Sequence, residues 1–169
     1  MTQSSIEILR EEDWGLYKSL RLKSLLDSPD SFSATYSHES TYCDEEWRNK
    51  LGSSGKAAFV CPLVAFSGIS ASGLAWGIIH KESDNHANVY QMWVSPEFRG
   101  HGIGKALLQR IMLWSREKER SCIHLGATTT NIAAIELYKS VGFRAVGSEV
   151  PLREGSAFNV QNMVLDLCA

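Results

Sequence analysis

The sequence predicts a mixed α/β (α+β) domain built around one central sheet, and three observations predict it. Segments of strand and helix character follow in the order strand, two helices, a run of strands, helix, strand, helix and two closing strands. The stretch from Ala57 to Ile79 holds no charged residue and breaks into two buried-strand patterns around a Ser/Gly turn. A short β-prone segment then feeds a glycine-rich turn that opens directly into an amphipathic helix, between Val94 and Leu108.

Each element has its own signal. Ile6 to Leu9 reads as a short strand. Trp14, Tyr17, Leu20, Leu22, Leu25 and Leu26 fall at helical spacing, with Asp13 as a candidate cap and Pro29 as the stop. Asp44 begins a second helix through Trp47 and Leu51, ended by Gly52. Ala57–Phe66 and Leu74–Ile79 are the two uncharged strands, and a polar turn over Glu82–His86 leads to a strand over Asn88–Val94. Ile103, Ala106, Leu107, Leu108, Ile111 and Trp114 give the next helix a buried face. Ile123–Ala127 reads as a buried strand. Asn131 caps a last helix, with Ala134, Leu137, Tyr138 and Val141 on one side and Gly142 as a left-handed stop. Phe143–Val150 and Asn159–Leu167 form a closing hairpin.

Bulk properties limit the function. At 169 residues the chain reads as one domain, 1–169, able to bury a sizeable core. A net charge of −2 argues against nucleic acid or an anionic membrane as a partner. The uncharged run is long enough to cross a bilayer, but Pro62, Gly68, Gly73 and Gly77 interrupt it, so no membrane role is expected. Cys43, Cys61, Cys122 and Cys168 form no Cys-x-x-Cys pair, so neither a metal nor a disulfide framework is indicated. Met1-Thr2-Gln3 starts no signal sequence, so a reducing cytoplasm is the default compartment.

The chemistry sits in Arg99-Gly100-His101-Gly102-Ile103-Gly104-Lys105. Glycine permits positive φ and removes side chains, so backbone N–H groups can converge on one small volume. The helix start adds unpaired N–H groups and partial positive charge, which together suit phosphate oxygens. A dinucleotide fingerprint needs a third glycine where Leu107 stands. A Walker A loop needs glycine at Arg99 and Ser or Thr at Ala106. What remains is Arg-x-x-Gly-x-Gly after a strand, from Arg99 to Gly104, which resembles the pyrophosphate loop of the GNAT superfamily of acetyl-coenzyme A-dependent N-acetyltransferases. Asn131-Ile132-Ala133-Ala134-Ile135-Glu136-Leu137-Tyr138-Lys139-Ser140-Val141-Gly142-Phe143 is similar to a second block of that family. The segment from Arg21 to Phe32, with its Asp-Ser-Pro-Asp-Ser-Phe run, also resembles the start of many such enzymes.

The resemblance implies a mostly antiparallel sheet that splays between two parallel strands, here Asn88–Val94 and Ile123–Ala127. The pantetheine arm would pair in the gap, at the amides of Met92 and Val94. It implies a cofactor-binding set of Met92, Trp93, Val94, Arg99, Gly100, His101, Gly102, Ile103, Gly104, Lys105, Asn131, Ala134 and Tyr138. Acetyl-coenzyme A is then the co-substrate, and the amine of a small molecule or protein attacks it directly. The assembly would be a monomer or a homodimer. Gly68-Ile69-Ser70-Ala71-Ser72 misses a nucleophile elbow at its last place, which agrees with direct attack.

The resemblance implies Tyr138 as the general acid for the departing thiolate, and a tyrosine, protonated at neutral pH, can donate there; a buried helix aromatic is the plainer reading of the same position. Many relatives carry a glutamate base where Gln91 stands, and a neutral amide cannot take up a proton usefully. Gln91 therefore reads as a catalytic residue holding water or amine, or as a satisfied core amide; His80 and His38 are the fallback bases. Gln91 and Trp93 should share one strand face, opposite Met92 and Val94. The same substitution motivates an alternative, a non-catalytic acyl-coenzyme A-binding sensor. Arg99 reads as a pyrophosphate ligand, His101 as a loop filler, and Lys139 and Arg144 as candidates for the 3′-phosphate. Asp27 to Glu46 holds six acids and no Lys or Arg, a pattern suited to a cationic amine or to a solvated face, with Trp47 and Tyr36 at the mouth or in the core.

Overall fold

Short apolar runs with period-two burial make strands, and one sheet collects them all. In the computed structural model, which describes residues 4–52 and 57–168, the chain runs β1 (Ser4–Ile8), α1 (Trp14–Asp27), α2 (Tyr36–Glu39), α3 (Asp44–Leu51), β2 (Phe59–Ser67), β3 (Ser70–Ile79), β4 (His86–Val94), α4 (Ile103–Glu117), β5 (Cys122–Thr128), α5 (Ile132–Val141), β6 (Arg144–Ala145), β7 (Val150–Pro151) and β8 (Asn159–Asp166). The sheet order is β1-β2-β3-β4-β5-β8-β6, with β7 also on β8. All pairings are antiparallel except β4 with β5. The expected N-terminal reading at Met1–Gln3 lies outside the described residues.

The parallel pairing is short. His86, Ala87 and Asn88 face Cys122, Ile123 and His124, and there it stops. β4 continues to Val94 along β3, and β5 continues to Thr128 along β8. The two strands therefore diverge, as the resemblance implied. Each leaves one row of backbone groups without a strand partner on the side of the gap.

Two cores hold the sheet. Leu63, Ala75, Val89, Leu107, Ile111, Ile123 and Met163 pack with α4 and α5 on one face. Tyr17, Leu25, Trp47, Leu74, Trp76 and Trp93 pack with α1 and α3 on the other. Gln91 and Trp93 do face α1, while Met92 and Val94 lie against the α4 side.

Several local expectations need correction. Asp13 does not cap α1; its carboxylate accepts from the Arg10 N–H at 2.7 Å and closes a 3₁₀ turn ahead of the helix. α1 does stop ahead of Pro29, ending at Asp27, and Pro29 opens a second 3₁₀ turn over Pro29–Ser31. Leu26 is 62% exposed, and Arg21 and Ser24 take buried places on that helix. The uncharged hairpin turns at Gly68, φ +62°, so β3 begins at Ser70 rather than Leu74. The closing hairpin is interrupted: β6 and β7 pair separately with β8, and the segment between them bends so that the Val146 N–H donates to the Asn162 carbonyl at 2.9 Å.

Candidate active site

The diverging strands open a cavity of about 1030 Å³ that runs through the sheet. One wall is the start of α4 with α5; the other is α1 and the loop after it.

The first wall is built from backbone. Gly100 and Gly102 have φ of +78° and +80°, and no atom stands within 4 Å of where a Cβ would lie. Gly102 occupies the N-cap of α4 with no side chain to close it, and the first turn holds no acid. The N–H groups of Ile103, Gly104 and Lys105 are thus left for an anion. Lys105, exposed and without an ion pair among the described residues, adds positive charge beside them. Gly104 has a different reason to be glycine. A Cβ there would meet Leu137 Cδ2 at 2.9 Å and Met92 Cε at 3.3 Å. It lets α4 approach α5 and β4, so a valine at 104 would collide with side chains and not with a bound phosphate.

Asn131 caps α5, its Oδ1 accepting from the Ala134 N–H at 3.2 Å. Its Nδ2 also reaches Ser31 Oγ at 3.4 Å. Tyr138, seven residues on, lies on the same side of the helix and also borders the cavity. Its hydroxyl has no hydrogen-bond partner among the described residues, and burial pushes its pKa up to about 12. Gly142, φ +114°, ends the helix as expected, with the Phe143 N–H donating to the Tyr138 carbonyl at 3.0 Å.

The second wall is built from side chains distant in sequence. Gln91 and Met92 stand opposite the single residue Ala75, a bulge in β4 between the Tyr90–Trp76 and Trp93–Leu74 pairs, and Gln91 sits at φ +54°. The Gln91 side chain lies on the α1 side, at Tyr17. Gln91 Oε1 accepts from Tyr17 Oη at 2.9 Å, so the amide nitrogen is the end left free. Arg21, one turn after Tyr17, is buried and ion-paired with buried Glu39, at 2.9 Å from Nε and 3.1 Å from Nη2. The loop after α1 is latched down from three sides: Thr128 Oγ1 donates to the Asp30 carbonyl at 2.8 Å, Asn131 reaches Ser31, and Arg153 donates to the Phe32 carbonyl at 2.8 Å.

Other predicted residues are placed differently from expectation. Arg99 borders the cavity, but its side chain is bound to Asp27 and to the Val94 carbonyl, the latter at 2.9 Å. Asp27 also accepts from Trp93 Nε1 at 2.9 Å. Partial burial opposes its ionisation, yet hydrogen bonds from Ser28, Trp93 and Arg99 hold its pKa below the usual value. His101 points back to the Phe98 carbonyl, outside the cavity. His38 and His80 are exposed and line no part of it; His80 pairs with Tyr90 Oη at 3.0 Å. Lys139 pairs with Glu136 and Arg144 with Asp166.

The acid-rich stretch from Asp27 to Glu46 does not form an acidic mouth. Asp27 holds Arg99, Glu39 holds Arg21, Asp44 holds Lys18, and Glu46 caps α3 through the Cys43 N–H. Trp47 is fully buried. Among the described residues no carboxylate lines the cavity, whereas Arg21, Arg99 and Lys105 do.

Sequence reasoning missed Arg21, Tyr17 and the bulge at Gln91 and Met92 as parts of the site. Arg21 and Glu39 are 18 residues apart and Tyr17 and Gln91 are 74 apart, so no local pattern pairs them.

The fold is shared with known proteins. Over its full length the fold is similar to spermidine N-acetyltransferase from Vibrio cholerae in complex with CoA and spermine, at a TM-score of 0.78 with 20% identity, covering 99% of this chain and 98% of that one. It is equally close to an acetyltransferase of the GNAT family from Streptococcus pneumoniae, at a TM-score of 0.76 and 18% identity, covering 97% and 99%. In sequence the chain is 42% identical over 67 residues to N-acetylaspartate synthetase of Danio rerio, covering 40% of this chain and 24% of that protein. It is 34% identical over 85 residues to N-alpha-acetyltransferase RimI of Mycobacterium tuberculosis, covering 50% and 48%. The chain thus spans less than half the length of either sequence relative. The family described as Acetyltransferase (GNAT) family matches residues 21–143, which carry the gap, the glycine loop and the α5 block, and the chain accordingly belongs to the GNAT acetyltransferase family.

Proposed function

We propose that this enzyme moves the acetyl group of acetyl-coenzyme A to a primary amine by direct attack, with Tyr138 as general acid. The observation that carries the reading is the position of the Tyr138 hydroxyl. It borders the gap between β4 and β5, is free of any protein hydrogen bond among the described residues, and is held protonated by burial. The residues fit the co-substrate: the uncapped start of α4 offers N–H groups and Lys105 a charge to its pyrophosphate, and the free edges of β4 and β5 offer backbone partners to its arm.

Acetyl-coenzyme A supplies the thioester. The amine nitrogen bonds to the carbonyl carbon, the carbon–sulfur bond breaks, and Tyr138 Oη gives its proton to the departing sulfur. The amine must arrive neutral, because no carboxylate or histidine lines the cavity among the described residues. Water takes the second proton. The acceptor is an amine of a small molecule or a protein.

The test is free-thiol release from acetyl-coenzyme A across a panel of primary amines. Release with at least one amine, strongly reduced in Tyr138→Phe while acetyl-coenzyme A still binds, is the expected result. Binding without release on any amine would overturn the reading, and full activity of Tyr138→Phe would remove the tyrosine from it.

A further inference from the structure

Arg21 has more to offer than its partner accepts. It is 4% exposed, with Nε and Nη2 on Glu39 and the ring of Phe32 stacked 4.8 Å from the guanidinium carbon. Its Nη1 is buried with no hydrogen-bond partner among the described residues. An unmade bond at a buried charged donor is costly, so such groups are retained where something else completes them. Arg21 borders the cavity on the acceptor side.

Gln91 borders the same cavity. Tyr17 and Arg21 are one turn apart on the buried face of α1, and the Tyr17 hydroxyl fixes Gln91 through its oxygen. The amide NH₂ is then the end presented to the cavity, a donor and not an acceptor. The bulge at φ +54° is what brings this side chain to the α1 side. Two donors from different elements thus border one cavity, and no carboxylate lines it among the described residues. A polyamine would find no counter-charge here.

We infer that the acceptor is a small amine that also bears a carboxylate, and that Arg21 and Gln91 bind this carboxylate while the amine faces the gap. This rests on the acetyl-transfer reading above and narrows its substrate to amino acids. The guanidinium contributes a charge-assisted bond through Nη1, and the Gln91 amide a second bond to the other oxygen. Glu39 keeps the guanidinium in place from behind.

The experiment compares matched acceptors on the intact enzyme by thiol release: glycine, β-alanine and γ-aminobutyrate, each against its primary amide, with spermidine as a cationic control. The amine of an amino acid amide is neutral more readily than that of the acid, so a preference for the acid cannot come from basicity. In at least one pair kcat/KM for the acid should exceed that for the amide by about ten- to a hundredfold, the usual worth of a hydrogen bond to a charged group. Two variants locate the effect. Arg21→Lys keeps a cation against Glu39 but removes the second arm, and Gln91→Glu keeps an acceptor for Tyr17 but repels a carboxylate. Both should collapse the acid-to-amide ratio, which does not depend on how much of a preparation is folded. Equal use of acid and amide by the wild-type enzyme, or preference for spermidine, would overturn the inference and leave acetyl transfer standing. An acid preference that survives both variants would place the carboxylate elsewhere. Thiol release with no amine at all would remove acetyl transfer and this inference together.

Discussion

The two walls of the gap are made by different means. The wall formed by α4 and α5 is written in consecutive residues: glycines at positive φ, an uncapped helix start, an asparagine cap and a tyrosine two turns later. The wall formed by α1 and the loop after it is written in pairs from distant segments, Arg21 with Glu39, Tyr17 with Gln91 and Asp27 with Arg99. The first wall presents backbone donors that suit one co-substrate. The second presents side chains whose free valences depend on what their partners leave unused. Removing the Tyr138 hydroxyl from the first wall should therefore act on rate, and substitutions in the second wall on stability and acceptor choice.

The largest effect belongs to the first wall. Tyr138→Phe keeps the ring against Phe143 and removes only the hydroxyl. General acid catalysis is worth roughly 10²–10⁴-fold, so kcat should fall by about that factor with little change in thermal stability. A comparable loss of stability would assign Tyr138 to the core instead.

On the second wall, Arg21→Met should lower stability by about 3–5 kcal/mol in denaturant unfolding, because Glu39 is left buried and unpaired. Adding Glu39→Met should recover most of that loss. A single variant as stable as the wild type would show that the pair is not what secures α1 to α2.

Gly104→Ala comes next. Its new methyl would meet Leu137 Cδ2 at 2.9 Å and Met92 Cε at 3.3 Å, the movable ends of flexible side chains, so the cost should stay within about 1 kcal/mol, the low end for overpacking. Shortening Leu137 to alanine in the same protein should make the added methyl nearly neutral. If Gly104→Ala were neutral by itself while lowering coenzyme affinity, the glycine would belong to the phosphate cradle after all.

The smallest effect is in the pH profile. With no carboxylate or histidine lining the cavity among the described residues, kcat/KM should rise up to tenfold per pH unit until the amine's own pKa is reached. Tyr138 stays protonated up to about 12, so no falling limb from it should appear below that. A plateau setting in well below the amine's pKa would reveal a base among residues outside the cavity.

The same contrast explains what could be read from the sequence. The element order, the glycine loop and the α5 block were legible because helix caps, turns and periodicity act over a few residues. Gly142, followed by Phe143, was correctly placed on that ground. The fate of the acids between Asp27 and Glu46 was not legible. Three of the six, Asp44, Glu39 and Asp27, are paired with Lys18, Arg21 and Arg99, which only folding brings beside them. Gln91 looked like a base position with the base missing, and only the bulge and the Tyr17 hydroxyl make it a donor.

The central claim is that the free edge of β4 receives the coenzyme arm in the gap. The Ser95 N–H donates to Ser72 on β3 at 2.9 Å, so the alternating Val94 and Met92 amides point toward β5, where no strand meets them. Residue-resolved amide hydrogen exchange, with and without coenzyme A, tests this directly. The account predicts that the amides of Met92 and Val94 become protected on binding, while Trp93, already paired with Leu74, changes little. Unchanged exchange at Met92 and Val94 in protein saturated with coenzyme A would contradict it.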